Sequence, residues 1–254
     1  MRGKITSSGS VSRREALERL GKVAAACTVL SVASTTGVFG EGATGKTRKE
    51  CLMNLPQPRM DGKVSLEMAI ENRRTIRSFS PVPLSAAQCS QLLWSAQGVT
   101  STKERGAKRA APSAGALYPM DVYTIVGKGG IEGTEGGIYH YEPEGHSLSK
   151  VRDGDMREEV AGASLGQTWM ARAPINLVIT AEYSRCTVKY GERGIRYAMI
   201  EAGHIGQNIF LQAEALGLKA GIVGAFRDQE VIRIMRIPPA HEPLLIMPVG
   251  YAGS

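Results

Sequence analysis
The sequence predicts an α+β fold in which a mixed sheet packs against helices. Three observations carry this. Helix-like and strand-like segments are interspersed along the 254 residues rather than sorted into blocks. Two alternating stretches, residues 137–141 and 147–151, flank Pro143-Glu144-Gly145 and read as a hairpin. Residues 175–181 are almost unbroken apolar sequence, which suits a strand covered on both faces.

The elements follow in order. Residues 41–62 mix Gly, Lys, Pro and Asn without periodicity and read as a linker or arm, so the folded domain is expected over 63–254. Ser65 opens a short helix through Arg74, with Leu66, Ala69 and Ile70 on one face. After Pro81-Val82-Pro83, Ser85 caps a second helix whose buried stripe is Leu92, Leu93 and Ala96. Residues 101–111 read as a Lys/Arg-rich loop, 121–126 as a strand and 156–165 as a helix. A long helix runs from about Arg193 to Leu216 and closes at Gly217. Its small residues (Ala198, Ala202, Gly203, Gly206, Ala213) and its apolar ones (Ile200, Ile205, Ile209, Phe210) lie on more than one face. Burial nearly all round is therefore expected, in a core or at a subunit interface. Residues 220–226 and 244–249 supply the last strands.

Composition bounds the function. With 43% apolar and 22% charged residues the chain is not a disordered one. Four cysteines without a C-x-x-C pair exclude a disulfide scaffold and a zinc ribbon, and no metal site is expected. Residues 1–40 hold six basic and two acidic side chains, so +4 of the net +7 sits there and about +3 on the rest. No basic stripe with interleaved aromatics remains, which argues against nucleic acid as a partner. Residues 1–40 themselves read as a twin-arginine-type signal: Arg13-Arg14 precedes an uncharged run from Val23 to Gly40 too polar for a comfortable membrane span. That implies export in the folded state, and a folded passenger can carry a cofactor; a cytoplasmic protein with a basic amphipathic N-terminus is the alternative. Cleavage near Gly40 leaves Cys51, Cys89 and Cys186, an odd count with at least one free thiol.

Four constellations carry chemistry. Arg73-Arg74-Thr75-Ile76-Arg77 gathers three guanidiniums, which repel one another unless anions sit among them and which suit bidentate phosphate contact. Residues 111–119, Ala-Pro-Ser-Ala-Gly-Ala-Leu-Tyr-Pro, offer small side chains, the Ser113 hydroxyl and close backbone approach to a flat ligand, or simply a tight loop before a strand. Residues 221–226, Gly-Ile-Val-Gly-Ala-Phe, would let a ring lie against main chain; no dinucleotide fingerprint is present. Lys189-Tyr190, followed by Arg193 and Arg196, precedes the long helix.

In this order the segments resemble the nitroreductase superfamily of FMN proteins, and within it the SagB-like dehydrogenases of thiazole/oxazole-modified peptides. The resemblance covers about residues 65–251, and Tyr197 to Asn208 with Glu201-Ala202-Gly203-His204 belongs to it. It implies a mainly antiparallel sheet, a long helix at a dimer interface, and a homodimer with two FMN sites built from both subunits. Arg73 and Thr75 would hold the phosphate and ribityl chain with Arg74 nearby. Arg77 would face the flavin N1/O2 edge, where a cation stabilises the reduced ring. Pro112, Ser113 and Ala114 would come from the second subunit, and Val223 and Gly224 would present main chain near N5 and O4. Lys189-Tyr190 matches the acid/base pair of the azoline dehydrogenases, with a desolvated lysine able to take up a proton. His204 is expected to be an interface residue. The chain stops at Ser254, without the C-terminal basic segment by which many nitroreductases reach the phosphate.

The expected function is FMN-dependent hydride transfer between a small organic molecule and flavin N5. Dehydrogenation of peptide azolines and a non-catalytic flavin relay are the alternatives. A nicotinamide donor fits poorly with an exported protein.

Overall fold
The computed structural model describes residues 52–102 and 106–253; the signal-like segment, Cys27 and Cys51 lie outside them. In chain order the strands are β1 (Leu52–Asn54), β2 (Val99–Ser101), β3 (Lys108–Arg109), β4 (Met120–Val126), β5 (Gly137–Glu142), β6 (Ser147–Asp153), β7 (Ile175–Ala181), β8 (Lys219–Ala220) and β9 (Glu242–Gly250). The helices are α1 (Leu66–Asn72), α2 (Ala86–Gln97), α3 (Arg157–Ala163), α4 (Ser184–Tyr190), α5 (Arg193–Ala215) and α6 (Asp228–Met235), with 3-10 turns at Ala114–Ala116 and Thr168–Arg172.

β7 is buried along its whole length, as its apolar run predicts. β4 pairs on one side of it and β9 on the other, and the seven-stranded sheet runs β1-β6-β5-β4-β7-β9-β8. Every ladder is antiparallel; parallel contacts occur as isolated bridges, Thr75 to Ala220 and Leu84 to Ile131. One face of the sheet, with Val122, Leu177 and Met247, packs on Leu92, Leu93 and Ala96 of α2 and Ala198, Ala202, Ile205 and Ile209 of α5. The other, with Ile125, Val178 and Ile246, packs on Val160 of α3 and Val231 and Met235 of α6.

Local chemistry sets the helix ends. Ser85 and Gln88 form a reciprocal capping box at α2, with bonds of 3.2 and 2.9 Å, and Ser65 accepts from the Met68 N–H at α1. α5 ends as Gly217 turns left-handed at φ 71° and Leu218 N–H bonds the Ala213 carbonyl at 2.8 Å.

Several expectations need correction. β1 lies inside the stretch read as linker, and the paired strands β2 and β3 reach into the basic loop. Residues 220–226 form a strand only at their start. Val223 and Ile246 exchange both backbone bonds, but Gly221 meets Pro248, which has no N–H to return, so the ladder is interrupted. α4 and α6 add to the expected helices; α4 buries only Cys186, so it carries no apolar stripe to read. α1 buries Ala69, whereas Leu66 and Ile70 are exposed. Within the single chain α5 is buried on one side, and Arg196, Met199, Ile200, Gly203, His204 and Gln207 form an exposed stripe, which leaves the expected subunit interface untouched.

Candidate active site
The segment after α1 brings the arginines against aromatic rings. Arg73 caps α1 with its guanidinium 5.2 Å from the Phe210 ring centre, and Arg77 lies 5.8 Å from that of Trp169. Neither forms an ion pair among the described residues. Arg74 is spent differently: it donates to the carbonyls of Glu71 and Arg73, at 2.7 and 2.8 Å, closing the helix end. Thr75 bridges Ala220, and Ile76 N–H bonds the Ala220 carbonyl, which fixes this segment beside residues 221–224. A Cβ on Gly221 would stand 2.8 Å from the Ile76 carbonyl oxygen and from the Trp169 ring, so glycine is required there. Val223 is buried, while Gly224 is exposed with open space where a side chain would be.

A second group forms around residues 111–119. Gly115 turns at φ 63°, and a Cβ there would lie 2.6 Å from the Tyr190 hydroxyl oxygen and 2.9 Å from Lys189 Nζ. The small-residue turn and the Lys-Tyr pair, 74 positions apart, thus meet. Tyr190 rests edge-on against Tyr197 at 5.2 Å, and Lys189 Nζ lies 5.3 Å from the Tyr190 ring centre. Lys189 itself is exposed, so the expected desolvation is absent from the single chain. Ser113 Oγ accepts from Tyr118 N–H at 2.9 Å; the Tyr118 hydroxyl accepts from Arg109 N–H, and its ring carries the Arg109 guanidinium at 4.7 Å. Pro112 is exposed, and Ser113 and Ala114 are half-buried.

Two polar networks support this turn, and neither was legible in the sequence. Glu201, on α5, is buried beside Ser113. Its Oε1 accepts from Gln97 at 3.1 Å, and Oε2 has no hydrogen-bond partner. Burial pushes its carboxyl up, against the opposing pull of Ser113, Gln97 and Arg109. Burial, with the neighbouring Glu201, also raises the Cys186 thiol; Cys186 and Cys89 are both free and buried. At the far end of the turn, Asp121 binds His140 at 2.9 Å and Arg185 at 2.8 Å. Arg185 also pairs with Glu182 at 2.7 Å and donates to the Tyr118 carbonyl, tying α4 to the turn. Asp121, Glu182 and His241 could converge on one cation, but the guanidinium already supplies the positive charge between the two carboxylates. Burial disfavours both ionised partners of the Asp121–His140 pair, yet their hydrogen bond and surrounding charges hold Asp121 below and His140 above the usual values.

The two groups sit at different places along α5. Phe210 marks the arginine group, and Glu201 the turn; nine helical residues separate them by roughly 14 Å. As for a flavin mononucleotide, the donor set fits: among the described residues neither Arg73 nor Arg77 is paired with an acid, so one guanidinium is free for the anionic tail and the other for the ring edge, and the open side of Gly224 leaves main chain approachable.

Residues 70–251 match the model of the Nitroreductase family. The chain belongs to the nitroreductase family. It is thereby an oxidoreductase of that family, with the family's fold. A protein of Methanocaldococcus jannaschii named as a nitroreductase is 44% identical over 188 residues, which cover 74% of this chain and 91% of that one. The microcin B17-processing protein McbC of Escherichia coli is 30% identical over 133 residues, 51% of this chain and 49% of its own length. Among solved structures, a nitroreductase from Ralstonia eutropha superposes with a TM-score of 0.70 at 28% identity, covering 89% of this chain and all of that one.

Proposed function
We propose that this nitroreductase-family chain is an FMN-dependent oxidoreductase that moves a hydride between a small organic substrate and flavin N5, acting as a homodimer and outside the cytoplasm. The observation that carries the reading is the meeting of the Ser113–Ala116 turn with Lys189 and Tyr190, at a distance along α5 from the arginine group. Two-fold pairing is the economical way to bring such separated halves to one ligand: the turn of one subunit completes the arginine group of the other. The exposed apolar residues Met199 and Ile200 on α5, 53% and 48% accessible, supply a face for that pairing.

In this reading Arg73 and Thr75 bind the phosphate and ribityl chain, and Arg74 holds the helix end that presents them. Arg77 places positive charge at the N1/O2 edge. Pro112, Ser113 and Ala114 of the second subunit close the site, and the main chain of Val223 and Gly224 faces N5 and O4. When bound, FMN supplies the two-electron acceptor. Tyr190, braced by Tyr197, and Lys189 hold and move the proton that accompanies hydride transfer. Covering of Lys189 by a partner subunit would remove it from water.

Purified protein tests this directly. Yellow material with the absorption of oxidised flavin, bleached anaerobically by a suitable reductant, is expected. Colourless, monomeric protein indifferent to added FMN would overturn the reading. Bleaching by a quinol but not by NADPH would accord with an exported enzyme.

A second reading, dehydrogenation of peptide-derived azolines, is favoured by the likeness to McbC and by Lys189-Tyr190. Oxidation of a thiazoline- or oxazoline-bearing peptide, with loss in Lys189→Ala and Tyr190→Phe variants, tests it. A flavin relay without turnover would tolerate both substitutions.

A further inference from the structure
Among the described residues Glu201 is a buried carboxylate left partly unsatisfied. It is 2% exposed, on the helix that packs against the sheet, and one of its carboxylate oxygens has no hydrogen bond. Leaving a buried carboxylate half-satisfied costs stability, and a glutamine of the same shape would lower that cost. Gln97 of α2 donates to Oε1. Arg109 of β3 reaches Gln97 at 3.4 Å and pairs with Glu144 at 2.9 Å, so it lends positive charge from a distance without binding the carboxylate. Cys186 of α4 is a buried thiol. The remaining polar neighbour is Ser113, whose hydroxyl oxygen is already engaged as the acceptor of Tyr118 N–H, leaving its proton to give.

We propose that Glu201 is a positioning residue whose free carboxylate oxygen accepts a hydrogen bond from the Ser113 hydroxyl, thereby holding the 111–118 turn against Lys189 and Tyr190. A hydroxyl with its proton committed to Glu201 has its lone pairs turned to Tyr118 N–H. The turn is then fastened at Ser113 and, two residues on, seats Gly115 against the Lys-Tyr pair. Ionised Glu201 fastens the turn; protonated Glu201 competes as a donor and loosens it. The assignment of Ser113 to a flavin site rests on the proposed function, but the fastening of the turn does not.

The test separates the two. In apo protein, hydrogen exchange of the Tyr118 amide, corrected for intrinsic rates, should show protection that rises with pH through a carboxylate titration. Glu201→Gln should abolish that pH dependence and lower protection about tenfold at neutral pH. Ser113→Ala should do the same, and the double variant should be no worse than Ser113→Ala alone, because the glutamate acts through the serine. Protection independent of pH in the wild type, or additive losses in the double variant, would overturn the proposal. FMN titrations then read the consequence: a matching pH dependence of affinity, absent in Glu201→Gln. If FMN fails to bind at all while the exchange results hold, the functional reading falls and the role of Glu201 stands. Glu201→Asp serves as the control where Glu201→Gln fails to fold. The shorter carboxylate should retain the titration with reduced protection, and loss of the titration there would also overturn the proposal.

Discussion
The backbone of Gly115 faces the Tyr190 hydroxyl so closely that an added Cβ would stand 2.6 Å from the oxygen. Gly115→Ala therefore meets two obstacles. The left-handed φ of 63° costs on the order of 1 kcal/mol for a residue with a side chain, and the methyl must displace Tyr190 or Lys189. Melting temperature should fall only modestly, while turnover with any accepted substrate falls by an order of magnitude or more. Equal small losses in both would place the Lys-Tyr pair outside the chemistry.

The arginines should divide their labour. Arg73→Ala is expected to weaken FMN binding at least tenfold, as loss of a phosphate contact does. Arg77→Ala should retain more of the affinity and lower the two-electron midpoint potential by several tens of millivolts, since about 30 mV corresponds to ~1.4 kcal/mol for such a couple. Flavin fluorescence quenching and anaerobic redox titration measure the two effects. The same response from both variants would contradict the assignment.

Gly221 has no room for a side chain between the Ile76 carbonyl and Trp169. Gly221→Ala should cost roughly 1–3 kcal/mol by overpacking, read by denaturant unfolding, and should weaken FMN binding because Arg77 stacks on the displaced ring. Gly224→Ala, with open space around it, should leave unfolding unchanged.

His140 makes stability depend on pH in a stated direction. Its folded titration lies above the ordinary histidine value of 6.5, because the bond to Asp121 and the charges of Glu142 and Asp121 outweigh burial. The contribution is complete below 6.5 and is lost as pH rises through the folded value. His140→Gln should thus destabilise more at pH 6 than at pH 9, read by denaturant unfolding at the two values. A pH-independent loss would mean that the imidazole is held neutral.

Glu201 has the same sign for a different reason. Burial raises a carboxyl, so its stability contribution is complete below the ordinary carboxylate range and is lost as pH climbs through the folded value. Glu201→Gln should be the more stable protein at pH 8, by about 1–3 kcal/mol, with the difference closing toward pH 4. Thermal unfolding across that range reads it.

Sequence patterning revealed the sheet core because period and burial coincide there. Residues 175–181 have no polar face to hide, and 137–151 alternate around a turn. It failed where a segment's state is set by its neighbours. The interruption at Gly221 depends on Pro248 across the sheet, and the outward Leu66 and Ile70 depend on what α1 rests against. The chemistry-bearing segments were legible as small-residue and basic clusters, but their juxtapositions were not. Nothing local links Gly115 to Tyr190, Ser113 to Glu201, or Arg77 to Trp169; each pairing is created by the sheet order and by the path of α5.

One clasp in the fold governs when the arginine segment can exist. Ser80 N–H bonds the Tyr251 carbonyl and Gly253 N–H bonds that of Ser78, with Phe79 bridged to Ala252, so the stretch just after Arg77 is pinned by residues about 170 positions downstream. Contacts of such sequence separation form late, after the intervening loop entropy has been overcome. In the proposed function, anion capture by this segment is accordingly a report on completed topology: a partly folded chain presents the same arginines without the geometry, and a phosphate-bearing molecule that selects the clasped form would add its binding energy to the last step of folding.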